Sequence, residues 1–385
     1  MSTTTDAKGF LRPALGGAAA TLAGIGLARF AYVPMFPAMV SGGWIDAGGA
    51  GLVGAANLSG YLVGALGGRF AARRLGTVRT LDVGMILAAL AFAACAWNGG
   101  LTYLAFWRAL AGVAGGVLMV LAGPAVQWAV APARRGQAGG IVVAGVGSGA
   151  VLSALIVPQA LSLGLSAAWL CLAALVGGLW MFAHTAWPDA PMPTGKRGPM
   201  AATGSVPFHV AYGLSGAGMV AHMVYLADLA VRARGLGAGA GSWVWLLFGA
   251  GAIGGTLAGG RMSDRWGAPL TLRVWLMIQV AAIVAALVPL AVTLGAAGLL
   301  GGFAGVGISA VALARAREIG GVRISGIWAT ATAAYAAAQA ATAFLLAALF
   351  AQTGSHEVLF AVCLGLSFAG LAVSLWPSGK GAAPL

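Results

Sequence analysis

Runs of roughly twenty apolar residues, closed off by Gly, Pro or basic clusters, follow one another from Leu11 to Trp376. A helix needs about that length to cross a hydrocarbon core of about 30 Å. Strands of a membrane barrel would alternate in polarity, and these runs do not. Only 8% of the 385 residues are charged and 60% are hydrophobic, whereas a soluble chain carries about a quarter charged residues. The expectation is an all-α integral membrane protein with spans over 11–40, 49–70, 79–97, 101–129, 138–160, 165–187, 206–230, 242–262, 269–292, 295–316, 323–351 and 357–376.

A net charge of +13 would suggest nucleic acid if the basic residues formed one patch, and they do not. Arg29 and Arg108 fall within helices and Arg232 and Arg234 on one side of the membrane. The remaining basic residues, among them Arg69, Arg73, Arg74, Arg134, Arg135, Arg261, Arg265, Arg315 and Arg317, fall on the other. The positive-inside rule then places both termini in the cytoplasm. The chain is expected in a lipid bilayer, as a monomer with no nucleic-acid partner. Cys95, Cys171 and Cys363 lie in apolar runs without CxxC spacing and read as packing residues. The polar first ten residues, followed by an apolar run too long for a signal core, argue against a cleaved leader.

The longest polar interruption carries Pro188, Pro191, Pro193, Lys196, Arg197 and Pro199. It divides the chain into a cytoplasmic tail 1–10, a six-helix bundle 11–187, a linker 188–205, a second bundle 206–376 and a tail 377–385. A weak repeat supports the division, because Gly68-Arg69-Phe70 after the second helix resembles Gly260-Arg261-Met262 after the eighth. Parallel halves of this kind are related by an axis along the membrane normal. Small-xxx-small pairs such as Gly145 with Gly149 and Gly251 with Gly255 read as close helix packing.

The run Gly260-Arg261-Met262-Ser263-Asp264-Arg265-Trp266-Gly267 is similar to the loop signature of the major facilitator superfamily. The resemblance implies twelve transmembrane helices in two pseudo-symmetric six-helix bundles. It also implies gating by Gly260, Asp264, Arg265 and Gly267, with the Asp facing a helix terminus and the Arg supplying inside charge. In the first half Ala72 reads as the residue at the acidic position. Arg108, followed by Gly112, Gly115 and Gly116, resembles a second superfamily signature. The antiporter signature of the fifth helix is incomplete: Gly145, Gly147 and Gly149 are present, but the nearby Pro158 is followed by Gln159. The run Gly24-Ile25-Gly26-Leu27-Ala28-Arg29-Phe30-Ala31-Tyr32, together with Asn57-Leu58-Ser59-Gly60-Tyr61 and Trp243-Val244-Trp245, looks like the YbfB/YjiJ branch. Met219 and Val224-Tyr225-Leu226-Ala227 depart from that branch.

An Arg in hydrocarbon costs about 2.5 kcal/mol or more, so Arg29 and Arg108 are candidates for binding cargo or for capping backbone between helices. Asn57 with Tyr61, Tyr335 with Gln339, and Tyr225 could offer hydrogen bonds to cargo or to neighbouring helices. His222 is the candidate for proton coupling, because it stands sixteen residues into its helix and imidazole titrates near neutral pH. Helical rises of about 24–25 Å put Arg29 and His222 at one level across a central cavity. Met219, His222 and Met223 could make a soft-metal site, but Met in a membrane helix is usually packing, and no metal or other cofactor is expected.

Two Arg without an intramembrane acid favour a proton-linked secondary transporter of a small organic anion or zwitterion. An exporter of hydrophobic or cationic compounds would prefer a buried carboxylate, though Trp107, Trp128 and Trp245 could line a hydrophobic cavity. A membrane-embedded enzyme would need a nucleophile with its base, or a metal cluster. The histidines at 184, 209, 222 and 356 are scattered, and no GxxxxGK[ST] loop exists for ATP-driven transport.

Overall fold

The structure, a computed structural model, describes residues 3–187, 205–321 and 324–376. The expected linker up to residue 204 and the tail 377–385 lie outside the described residues. The described chain is helical throughout its long elements, which we number α1 to α12. α1 spans 3–41 with a π-helical turn at Leu22–Leu27. α2 (Ala47–Leu75), α3 (Thr77–Cys95), α4 (Gly100–Ala129), α5 (Arg135–Leu161) and α6 (Leu165–Ala186) come next. α7 spans 206–233 in short segments that break at Met219 and Tyr225. The chain continues through α8 (Gly237–Trp266), α9 (Ala268–Leu287), α10 (Ala291–Gly320, interrupted at Val306), α11 (Ile324–Thr353) and α12 (His356–Leu375).

Eleven of these helices are long and apolar enough to cross a membrane. The remaining one, α2, has 29 residues, or about 44 Å of helix, ample for a crossing. Its glycines, Asn57 and Ser59 lower its hydropathy. The protein is therefore a multi-pass membrane protein.

Lipid offers no hydrophobic drive between helices, so they associate where small residues let backbones meet. Gly60 and Gly64 of α2 lie against the carbonyls of Ala109 and Val113 on α4, and Gly112 and Gly116 of α4 lie against those of Asn57 and Tyr61. The second half repeats this pattern. Gly251 and Gly255 of α8 meet the carbonyls of Leu299 and Phe303 on α10, and Gly302 meets that of Phe248. A methyl group at any of these glycines would overlap a facing carbonyl. The packed backbone thus shows the internal repeat more clearly than the side chains do.

α1–α6 pack together, as do α7–α12, and the halves join where α2 meets α11 and α5 meets α8, with further contacts of α4 to α11 and α5 to α10. The turns after α2 and α8 have the same construction: each helix ends on a glycine in the left-handed region, Gly76 at φ 86° and Gly267 at φ 81°. Counted back from those glycines, Arg73 is the first-half counterpart of Asp264. The sequence expectation of Ala72 at that position is corrected, because it aligns Gly68 with Gly260 instead of aligning the two cap glycines. The basic residues flanking these turns, with Arg134, Arg135, Arg315 and Arg317, gather at one end of the bundle, here called the basic face.

Candidate functional site

Arg29 reaches the junction of the halves just after the π-helical turn of α1. An extra residue in a helical turn re-aims the side chains beyond it, and such bulges recur at functional sites. Gly24 and Gly26 in that turn let α1 settle against Gly115 of α4 and Gly149 of α5. Half-buried Arg29 then donates from Nη2 to Oε1 of Gln339 on α11, at 2.8 Å. Its guanidinium stands 5.9 Å from the Tyr61 ring centroid. Gln339 in turn donates from Nε2 to Sδ of Met223 on α7, at 3.2 Å.

Aromatic rings surround this bridge. Tyr335, one turn before Gln339, stacks on Tyr212 at 4.6 Å and donates its hydroxyl to the Gly305 carbonyl at 3.3 Å. Phe30 meets Trp245 and Phe248 of α8 edge-on at 5.5 and 6.1 Å. The acidic side chains that the structure describes are all engaged elsewhere. Asp46 caps α2, Asp82 accepts from Trp180, Trp187 and His184, and Asp228 meets His356. Asp264 pairs with Arg317, Glu318 with Arg315, and Glu357 with Arg234. A guanidinium has five N–H donors and no acceptor, so the layer offers unspent positive charge and donors between two halves.

On the basic face the halves are shut. The Asp264 carboxylate lies against Gly136, the second residue of α5 in the opposite half, and accepts from Nη2 of Arg317 at 2.9 Å. A carboxylate at a helix N-terminus gains from the helix dipole. Gly260 sits on the Gly136 carbonyl, and Leu313 of α10 packs against Gly123 of α4 and Gly139 of α5. Trp328 of α11 donates from Nε1 to the Met119 carbonyl of α4 at 2.9 Å. Arg265, the loop-signature residue expected to supply inside charge, is exposed. Arg317, which sequence did not single out, holds Asp264 instead.

Arg29, Tyr61, Tyr335 and Gln339 come together as expected, but four other candidates lie apart. His222 points into the second bundle, where its ring lies against Gly301 of α10 and 5.3 Å from Phe360 of α12. Helical rise gives its height but carries no information on direction around the helix axis. Arg108 is buried inside the first bundle between the rings of Tyr32 and Trp169. Asn57 is used to hold α2 to α4, donating from Nδ2 to the Arg108 carbonyl at 3.0 Å. Tyr225 stands with Phe350 and His356 near the end opposite the basic face. Met219 packs on Gly305 while Met223 faces Gln339, so the two methionines and His222 diverge. Tyr212 and Met223 complete the central layer without a local sequence signal that separates them from packing residues.

His222→Gln is accordingly expected to leave the pH profile of transport unchanged. A flattened profile in that variant would return His222 to the coupling machinery.

A sequence search among curated proteins finds no match. Among solved structures, the human organic anion transporter MFSD10 (TETRAN) is similar, with a TM-score of 0.75 at 15% identity over 96% of this chain and 99% of that one. At that identity the likeness speaks for the fold. The family model described as "Uncharacterised MFS-type transporter YbfB" matches residues 21–375. That match spans nearly the whole chain, and the chain belongs to this YbfB-type family of major facilitator transporters.

Proposed function

We propose that the protein is a secondary transporter of a small organic anion or zwitterion, which it binds at Arg29 and carries by alternating access across a bacterial inner membrane. The observation that supports this most is the Arg29–Gln339 bridge: one guanidinium shared between the two halves, with no described carboxylate beside it. Cargo held by two Arg29 N–H groups while a further one remains on Gln339 would be bound at the contact between the halves. Residues 11–187 and 206–376 are proposed as the two moving bodies, with the basic face cytoplasmic and the chain working as a monomer. The human neighbour is described as an organic anion transporter, which agrees with this cargo charge, although 15% identity argues for fold alone.

The test is uptake and efflux in proteoliposomes, with a library of carboxylates, amino acids and organic cations, under an imposed pH gradient. Cargo restricted to organic cations would overturn the reading, because a buried guanidinium repels them. Proton linkage is read separately in the same assay, since the described central layer holds no carboxylate or imidazole. Transport that is indifferent to the gradient would remove it without touching the cargo class. Orientation is checked separately by labelling introduced cysteines. Positions 195 and both termini should react from the cytoplasm and position 237 from outside, and an external position 195 would overturn the division into two sets of six.

A further inference from the structure

Arg108 presents a charge problem that the central layer does not solve. It is 1% exposed and lies eight residues into α4, about 12 Å from the helix start. Its guanidinium sits 4.9 Å from the Tyr32 ring centroid and 5.9 Å from that of Trp169. Two rings contribute cation–π attraction to the guanidinium, but they accept no in-line hydrogen bonds. Nε and Nη1 of Arg108 have no hydrogen-bond partner, and neither has the indole Nε1 of fully buried Trp169 beside it. The titratable neighbours that feel the Arg108 charge are Tyr32 and Cys95, neutral groups at physiological pH. The Tyr32 hydroxyl donates its proton to the Ala50 carbonyl at 2.8 Å, which leaves its oxygen a neutral acceptor that cannot balance the Arg108 charge.

The site therefore gathers unpartnered N–H donors around a cation, and among the described residues no carboxylate faces it. A buried donor without a partner costs roughly as much as a lost hydrogen bond, and a buried unpaired charge costs more. An acceptor bearing one negative charge would resolve both. Water would satisfy donors but leave the charge. A carboxylate-bearing cargo is disfavoured by position, because Arg108 is buried inside the first bundle beside Trp169 of α6, itself packed on Phe92 of α3 at 5.8 Å, and because Arg108 lacks the Gln339 and Tyr61 surroundings of Arg29.

We propose that Arg108 and Trp169 hold a small inorganic monovalent anion of halide size inside the first bundle. The anion is a resident counter-ion there, separate from the cargo bound at Arg29. It neutralises Arg108 and ties α4 to α6, with Tyr32 of α1 as a wall.

The probe is chloride. Purified protein is melted in sodium chloride against sodium gluconate at constant ionic strength, with sodium acetate as a third arm, for the wild type, Arg108→Gln and Trp169→Phe. The wild type should show a saturable rise in Tm with chloride, and Arg108→Gln should melt at one temperature in all three salts. Trp169→Phe keeps the ring and the cation but loses one N–H, so half-saturation should move to about 2- to 10-fold higher chloride. The readout is the dependence on anion, so a variant that is more or less stable overall remains informative. If Arg108→Gln does not fold, the Trp169→Phe shift decides alone. A chloride effect that persists in Arg108→Gln, an unmoved half-saturation in Trp169→Phe, no chloride effect in the wild type, or stabilisation by acetate in place of chloride would each overturn the proposal.

Discussion

Arg29→Lys is expected to fold, insert and keep its positive charge, yet to bind cargo about 10- to 100-fold more weakly. A guanidinium can hold a carboxylate by two parallel N–H···O bonds while a further N–H remains on Gln339, whereas an ammonium is a point charge that cannot serve both. Hydrogen bonds to charged groups contribute about 1.5–3 kcal/mol each, so losing one accounts for the expected factor. Calorimetric titration with an identified cargo measures it. Gln339→Leu makes a useful second arm: it removes the bridge between α1 and α11 but leaves the guanidinium whole, so affinity should change little while conformational exchange quickens. An unchanged Kd in a well-folded Arg29→Lys protein would remove Arg29 from the cargo site.

Asp264→Asn should slow turnover while leaving equilibrium cargo affinity nearly intact. The carboxylate contributes twice to closure on the basic face. It faces the N-terminus of α5 at Gly136, and it pairs with Arg317 at 2.9 Å with both side chains partly exposed. A charge at a helix end is worth about 0.3–1 kcal/mol and a partly exposed pair about 0–1 kcal/mol, so the closed state should lose about 2- to 30-fold in population. Labelling of a cysteine introduced in place of Leu313, which packs across the shut face onto Gly123 and Gly139, reports that opening. Arg317→Gln removes only the pair and should give a smaller change. Equal losses of rate and affinity in Asp264→Asn would show a general structural defect and count against a latch.

Four of the candidate residues meet in the central layer, and each of the others is displaced for a physical reason. Arg29, Gln339, Tyr335 and Tyr61 were legible because a charged or strongly polar residue in hydrocarbon must face protein or a polar space. Asp264 was legible through the glycines around it. Arg317 was not, since it lies 53 residues away on α10 and looks like any basic residue of a positive face. His222 was expected to face the central cavity and instead faces Gly301 and Phe360 within the second bundle. α7 breaks at Met219 and Tyr225, so facing cannot be carried along it by 100° steps. Arg73 became the counterpart of Asp264 only when both cap glycines were seen at positive φ.

Composition and run length alone determined that this chain crosses a membrane as helices, because twenty apolar residues can satisfy their backbone in lipid in few other ways. Tertiary structure decided which polar groups meet. Arg29 and Arg108 are both single cations in apolar runs, and their sequences give no reason to separate them. A π-helical turn, with Gly24 and Gly26 pressed onto α4 and α5, aims Arg29 at the opposite half, while the close packing of α2 on α4 leaves Arg108 sealed between Tyr32 and Trp169. The difference arises from backbone contacts between helices distant in sequence, where the side chains that define a motif take no part.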